Sequence, residues 1–318
     1  MPQSNFISTT KLNNTRILLI GGTSGIGFAV ARASLEQGAS VILASSNAEK
    51  VENAVSRLKD LYPDEPYVFR IAGKKCDLGD DHGEDDGERI EREIVSLFKF
   101  ATRKDLFPAS ATPEGLGHGK VEKKELNGDG EVREIIPINH IIFTAGSIPR
   151  TLSITDPGVD ARYLRSLGTV RFIGGALVAK HAPSYMPSPS FNPSSPHPTA
   201  SSIIYTSGGL ISKPRPGSTF AVAGIGAVEA FARGLAVDFA PLGIRVNTVS
   251  LGPVKTEIFD ALGDPETVER ILEGYKSATV LGRVGDANDA AESYLGLMRD
   301  ENVTGALVRS DAGFVIKA

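Results

Sequence analysis

Four residues in the middle of the chain are of types that could do chemistry on a small molecule. Ser207 closes the apolar run Ile203-Ile204-Tyr205-Thr206-Ser207-Gly208, and a hydroxyl at a strand end can hold a carbonyl oxygen by hydrogen bonding. Tyr205 lies two residues earlier, so it shares that strand face and adds a phenol able to donate a proton. Arg171, in Val170-Arg171-Phe172-Ile173-Gly174, brings a fixed positive charge that can polarise oxygen but is a poor acid. Phe220 offers a ring face to a cation, a contact typically worth about 0.5–2 kcal/mol. No Asp or Glu stands at or beside position 220, and no cluster of metal-ligating residues is legible.

A second group of residues binds rather than reacts. Ile20-Gly21-Gly22-Thr23-Ser24-Gly25-Ile26-Gly27 directly follows an apolar run and opens a helix-periodic segment. In that context glycines have separate duties: Gly21 permits the tight turn, Gly25 lets backbone approach a pyrophosphate, and Gly27 lets helix and strand pack closely. Free N–H groups at a helix start offer a partial positive charge to phosphates, with Thr23, Ser24 and Ile26 in the same turn. After the next apolar run come Ser45, Ser46 and Asn47, with Lys50 a turn later. An acidic residue there would chelate ribose hydroxyls and repel a 2′-phosphate. Its absence, with hydroxyls and a cation in its place, favours NADPH/NADP+ over NAD. Ser46-Asn47 also suits a helix cap, and the two uses are compatible.

The elements that must carry these residues alternate between strand-length apolar runs and helix-periodic stretches. Strands are expected at Ile17–Ile20, Val41–Ala44, Val68–Ile71, Ile141–Phe143, Ile203–Tyr205, Ile244–Val249 and Ala306–Val308. Helices are expected from Ile26 to Gln37, around Val51, Val55 and Leu58, and around Ile90, Ile94 and Leu97. Repeated β-α-β units with continuous apolar strands imply a seven-stranded parallel sheet covered on both faces: an α/β, doubly wound Rossmann fold of three αβα layers. Residues 1–14 read as an N-terminal extension and 15–318 as one domain. Surface insertions are expected at about 108–134, rich in Gly, Lys and Glu, and at 187–202, rich in Ser and Pro.

The glycine turn and the motifs after it resemble the short-chain dehydrogenase/reductase family, over residues 15–314 apart from the insertions. Cys76-Asp77-Leu78 looks like the family's adenine-contacting Asp, and Thr144-Ala145-Gly146 stands where it commonly has Asn-Ala-Gly. Arg245-Val246-Asn247 followed by Gly252-Pro253-Val254-Lys255-Thr256 is similar to the segment that touches the nicotinamide, with the Thr on the carboxamide. The resemblance also implies a catalytic set. In the family, the strand-end Ser is followed thirteen residues on by a proton-donating Tyr and four further by a Lys that lowers the Tyr pKa. An Asn on the preceding helix completes it. Ser207 fits the first role; the other positions hold Phe220, Gly224 and, in the Asn position, Arg171.

Losing a positioned general acid typically costs about 10²–10⁴ in rate, so ordinary alcohol/ketone chemistry by the family's usual route is not expected. An iminium carbon already bears positive charge, and hydride addition to it yields a neutral amine without a proton donor. The chain is similar to a fungal, secondary-metabolism branch lacking the Tyr-Lys pair, with members that reduce iminium ions in alkaloid pathways and some that promote ring closure. An atypical reductase of an imine, iminium or similarly activated double bond is therefore the leading expectation. The alternatives are a carbonyl reductase with a relocated proton donor such as Tyr205, a pericyclase or isomerase that keeps the cofactor site as architecture, and a non-catalytic NADP(H)-binding regulator.

Bulk properties narrow the partners. With 318 residues, 41% hydrophobic, and a net charge of −4, the chain can bury a large core and presents no basic field for nucleic acid or anionic membranes. Its one cysteine, Cys76, precludes an internal disulfide, and no signal-like or membrane-spanning run is read near the start, so a cytoplasmic protein is expected. A small hydrophobic organic substrate is suggested by Ile258, Phe259, Leu262, Val268 and Leu272 in a segment, Thr256–Gly274, that resembles the family's substrate lid. The Ala/Gly-rich stretch from Ala221 to Ala240 resembles its dimer-forming helix, which implies a homodimer or homotetramer.

Overall fold

The computed structural model describes residues 10–79, 86–108, 123–126, 132–146, 152–187, 201–257, 259 and 263–318. Seven parallel strands form its centre: β1 (Arg16–Ile20), β2 (Ser40–Ser45), β3 (Ile71–Lys75), β6 (His140–Phe143), β7 (Ser201–Gly208), β8 (Ile244–Leu251) and β11 (Leu307–Ser310), in the order β11-β8-β7-β6-β1-β2-β3. The chain starts mid-sheet, runs outward to β3 and returns to β6 beside β1. The crevice at the carboxyl ends of β1 and β6 is thus the switch point where such sheets bind ligands.

Successive side chains on each strand feed opposite layers. Leu18, Ile20, Ile42, Ile141 and Ile203 pack with Ile94, Val178 and Val228, from α3 (Asp86–Ala101), α5 (Gly175–Tyr185) and α6 (Thr219–Phe239). Ile17, Leu19, Val41, Leu43 and Ile142 pack with Val30, Ala54 and Leu295, from α1 (Gly25–Glu36), α2 (Ala48–Leu61) and α8 (Ala287–Arg299). All of these residues are buried, and each large aliphatic contributes about 1.5–3 kcal/mol on burial.

The third strand departs from expectation. Val68 to Arg70 lie in a 3₁₀ turn, Tyr67–Arg70, and β3 begins only at Ile71. Its true span, Ile-Ala-Gly-Lys-Lys, hardly reads as an apolar run. A β-carbon on Gly73 would stand 2.5 Å from Val51 Cγ1 and 2.8 Å from Val55 Cγ2, so α2 packs into the space the glycine leaves. Asn47 does cap α2, its Oδ1 accepting from Lys50 N at 3.0 Å.

Within the first expected insertion an antiparallel pair forms, β4 (Lys123–Leu126) with β5 (Val132–Ile135), which periodicity did not suggest. Residues 1–9 of the expected N-terminal extension, 109–122 and 127–131 of that insertion, and 188–200 of the other lie outside the described residues. Among the described residues one helical stretch, Thr219–Leu242, is long and apolar enough to cross a membrane; it packs on β7 and β8.

Candidate dinucleotide and substrate cleft

A cleft of about 820 Å³ opens along the carboxyl ends of the strands. One half of it is built from backbone. Gly21 has φ of +93°, and a β-carbon there would meet Ala145 N at 2.5 Å; at Gly27 it would meet Gly21 O at 2.2 Å. The turn thus cannot bear side chains at either position. Gly252 likewise lies against Asp311, with a β-carbon 2.5 Å from its Cα. The Thr144 hydroxyl donates to Gly21 O at 3.0 Å and fixes the turn to the end of β6. Ser24, the N-cap of α1, makes no side-chain cap bond, and the first turn has no acidic residue, so the helix start faces the cleft without a local cap.

Gly21, Thr23, Ser24, Gly25, Ile26 and Gly27 line this half with Ser45, Ser46, Lys50, Asp77 and Leu78. Thr144, Ala145, Gly146, Gly252, Pro253, Val254 and Thr256 continue the lining toward the other end. Of the expected cofactor residues only Asn47 is missing from the wall, because its side chain is committed to the cap of α2. Asp77 Oδ1 accepts from Gly79 N at 2.9 Å, which tightens the loop after β3. The glycine cradle, a helix start that its own turn does not cap and a cleft running from β2 to Thr256 fit a nicotinamide dinucleotide.

The other half is built from side chains. Ser207, Arg171 and Phe220 all line it, as does Gly224. Tyr205 does not: it is fully buried, its hydroxyl donates to Gly175 O at 2.9 Å, and burial pushes its pKa up. As a relocated proton donor Tyr205 is corrected to a packing residue, since its phenol is turned into the layer beneath α5. Among the described residues the Ser207 hydroxyl has one long contact, donating to Glu229 Oε2 at 3.5 Å.

Phe220 is buried and meets Tyr163 edge-on, with ring centres 5.0 Å apart. Tyr163 stands on α4 (Ala161–Gly168), where its N–H donates to the Asp160 cap at 2.7 Å, and it also lines the cleft. Sequence reasoning missed it, because nothing in its spacing links it to Phe220. At Gly224 a β-carbon would lie 3.0 Å from Leu167 O. The end of α4 therefore stands close against the place where a side chain on α6 would start.

After α4 the chain makes a π-helical turn, Thr169–Gly174, before α5. Such turns carry an extra residue and recur at functional sites; here the turn carries Arg171. Its guanidinium packs flat on Gly146, where a β-carbon would lie 2.2 Å from Cζ. Burial draws the Arg171 pKa down, opposed by nearby Tyr294. It makes no hydrogen bond or ion pair with another described residue. Two fully buried arginines differ from this half-buried one. Arg16 donates to Ala101 O at 2.8 Å, and Arg245 to Leu297 O at 2.7 Å and Met298 O at 3.0 Å. Backbone carbonyls hold both of these guanidinium groups.

The outer wall is aromatic. Phe259 lines the cleft and meets Tyr275 on α7 (Pro265–Ser277), and the Arg215 guanidinium sits 4.7 Å from the Tyr275 ring and 5.0 Å from that of Phe314. Of the other expected lid residues, Val268 and Leu272 are half-buried, while Ile258 and Leu262 lie outside the described residues.

A parallel sheet with a glycine cradle at its switch point defines a Rossmann-type dinucleotide-binding protein. A family model described as an SDR-like Rossmann domain matches residues 8–112 and 125–317. The chain belongs to the short-chain dehydrogenase/reductase family. It is 33% identical over 307 residues to the short-chain dehydrogenase/reductase malC of Malbranchea aurantiaca, covering 96% of each chain. It is also 33% identical over 310 residues to ucsE of an Acremonium species, covering 96% of this chain and 97% of the relative. The solved structure of the MalC reductase/Diels-Alderase superposes with a TM-score of 0.76 at 32% identity, covering 97% of this chain and 99% of that one.

Proposed function

We propose that this chain is an NADP(H)-dependent reductase of fungal-type secondary metabolism, acting on an imine, iminium or similarly activated double bond. The observation that carries the reading is the reacting wall of the cleft: a phenyl ring at 220 and bare backbone at 224, with Leu167 O 3.0 Å from where a β-carbon would stand. NADPH supplies the hydride when bound. Ser45, Ser46 and Lys50 would hold its 2′-phosphate, and Gly21 to Gly27 its pyrophosphate. Phe220, Tyr163 and Phe259 enclose a bulky apolar substrate and exclude water. The relatives malC and ucsE support a biosynthetic setting, and the relative named as the MalC reductase/Diels-Alderase supports ring closure as an alternative activity of the same cleft.

Arg171 refines the substrate. A half-buried guanidinium with no hydrogen-bond or ion-pair partner among the described residues repels a bare cation, so the substrate carries an oxygen acceptor, such as an amide or ketone carbonyl, close to the reacting bond. The same residue favours a second reading, reduction of a ketone polarised by Arg171. NADPH oxidation with matched cyclic iminium ions, imines, ketones and enones, followed at the nicotinamide absorbance band, separates the two. Turnover of C=N substrates with ketones inert supports the first; brisk ketone reduction transfers the assignment to the second.

The exposed apolar surface of α6, including Val237 at 74% exposure, would be covered in a homo-oligomer. Sedimentation of the purified protein checks that: a monomer at micromolar concentration removes it.

A further inference from the structure

The helix start that faces the cleft already holds an anion, and the chain itself supplies it. Gly25 N donates to Glu257 Oε2 at 2.8 Å, across 232 residues of sequence. Glu257 follows Thr256, whose methyl carbon lies 3.0 Å from where a Gly25 β-carbon would stand. Its other oxygen, Oε1, is 4.0 Å from Arg57, and that guanidinium sits 3.8 Å from the Phe28 ring. Glu257 also lines the cleft. The helix brings neither a side-chain cap bond from Ser24 nor an acid in its first turn.

We infer that Glu257 is a stand-in for the cofactor's pyrophosphate, an internal competitor that sets dinucleotide affinity. The inference rests on the dinucleotide reading of the cleft. One backbone N–H and one helix dipole serve both groups, and two anions cannot share them: a carboxylate held at 2.8 Å from Gly25 N leaves no approach for a phosphate oxygen. Cofactor entry therefore displaces Glu257, with Arg57 at hand to receive it. The exchange also releases Glu257, next to Thr256, from the glycine turn, so binding at the phosphates is felt at the nicotinamide end.

The test measures NADP+ and NAD+ dissociation constants by titration calorimetry for the wild type, Glu257→Gln and Glu257→Ala, with thermal melting of each protein alone and saturated. Removing an internal competitor worth one hydrogen bond to a charged group should tighten dinucleotide binding roughly tenfold in both variants, about 1.4 kcal/mol. Melting of the ligand-free Glu257→Ala protein should fall, while the saturated proteins melt together. Raising the salt concentration should narrow the affinity gap. Equal affinities in all three proteins, or weaker binding in the variants, overturn the inference and leave the dinucleotide site standing. Failure of all three to bind either dinucleotide overturns the site reading, and this inference with it.

Discussion

The two halves of the cleft are held by different means. At the glycine turn, position is set by backbone: Gly21 and Gly27 have neighbours within 2.5 Å of any added β-carbon, and Thr144 ties the turn to β6. At the reacting end, position is set by side chains and by one irregular turn: Phe220 against Tyr163, and Arg171 carried on the π-helical segment over Gly146. A backbone cradle tolerates almost no change, so it keeps its ligand. A wall of side chains can be rewritten while the sheet beneath stays intact. The lesson is that dinucleotide binding and reaction type are separable properties of this fold.

Substitutions can break or sharpen that contrast. The largest effect is expected at Arg171. Arg171→Met should lower kcat/KM by about 10²–10³ if the guanidinium stabilises charge on a substrate oxygen. The same change should hold or raise Tm, because a partly desolvated charge with no partner among the described residues is costly. A drop in Tm of several degrees with activity intact would make Arg171 structural, like Arg16 and Arg245. Next comes the backbone half. Gly21→Ala forces φ of +93° on a residue with a β-carbon, a strain of about 1–3 kcal/mol, and should weaken dinucleotide binding roughly tenfold to a hundredfold by calorimetry.

Tyr205→Phe separates packing from chemistry. It removes the bond to Gly175 O and should cost about 1 kcal/mol in denaturant unfolding, with kcat unchanged; a selective loss of kcat would return Tyr205 to the reaction. The smallest effect is at Cys76, whose thiol burial pushes up to about 12 from 9.0. A raised acid pKa favours the folded protein while the thiol is protonated in both states. That contribution is fully present below pH 9.0 and is lost as pH climbs toward about 12. Cys76→Ala should flatten this alkaline part of the unfolding profile, and native Cys76 should resist alkylation at pH 8 far longer than the unfolded chain.

Much of the fold was legible because its signals are local. The turn from Gly21 to Gly27 directly follows β1, and β1, β2, β6 and β7 carry continuous apolar runs. β3 was misplaced by a few residues because its apolar neighbour, Val68–Arg70, forms a 3₁₀ turn, while Gly73 and two lysines occupy the real strand. The site divided along the same line. Eighteen of the nineteen expected cofactor residues wall the cleft, Asn47 being the exception. Ser207, Arg171 and Phe220 line it as expected, but Tyr205 faces away. The partnership of Tyr163 with Phe220, the packing of Arg171 on Gly146 and the grip of Glu257 on Gly25 join residues far apart in the chain. No spacing rule encodes such pairings, because they depend on how α4, the π-helical turn and the segment after β9 (Val254–Lys255) pack over the sheet.

The central claim is that this cleft moves hydride to carbon without a phenol–ammonium pair. The most direct measurement uses NADPH deuterated at the nicotinamide C4, offered with a cyclic iminium ion bearing an adjacent amide carbonyl and with the matching ketone, the products being read by mass spectrometry and NMR. Expected is one deuterium on the former iminium carbon, undiminished in Tyr205→Phe, and no labelled alcohol. Deuterium in the alcohol alone, with the iminium ion untouched, would contradict it.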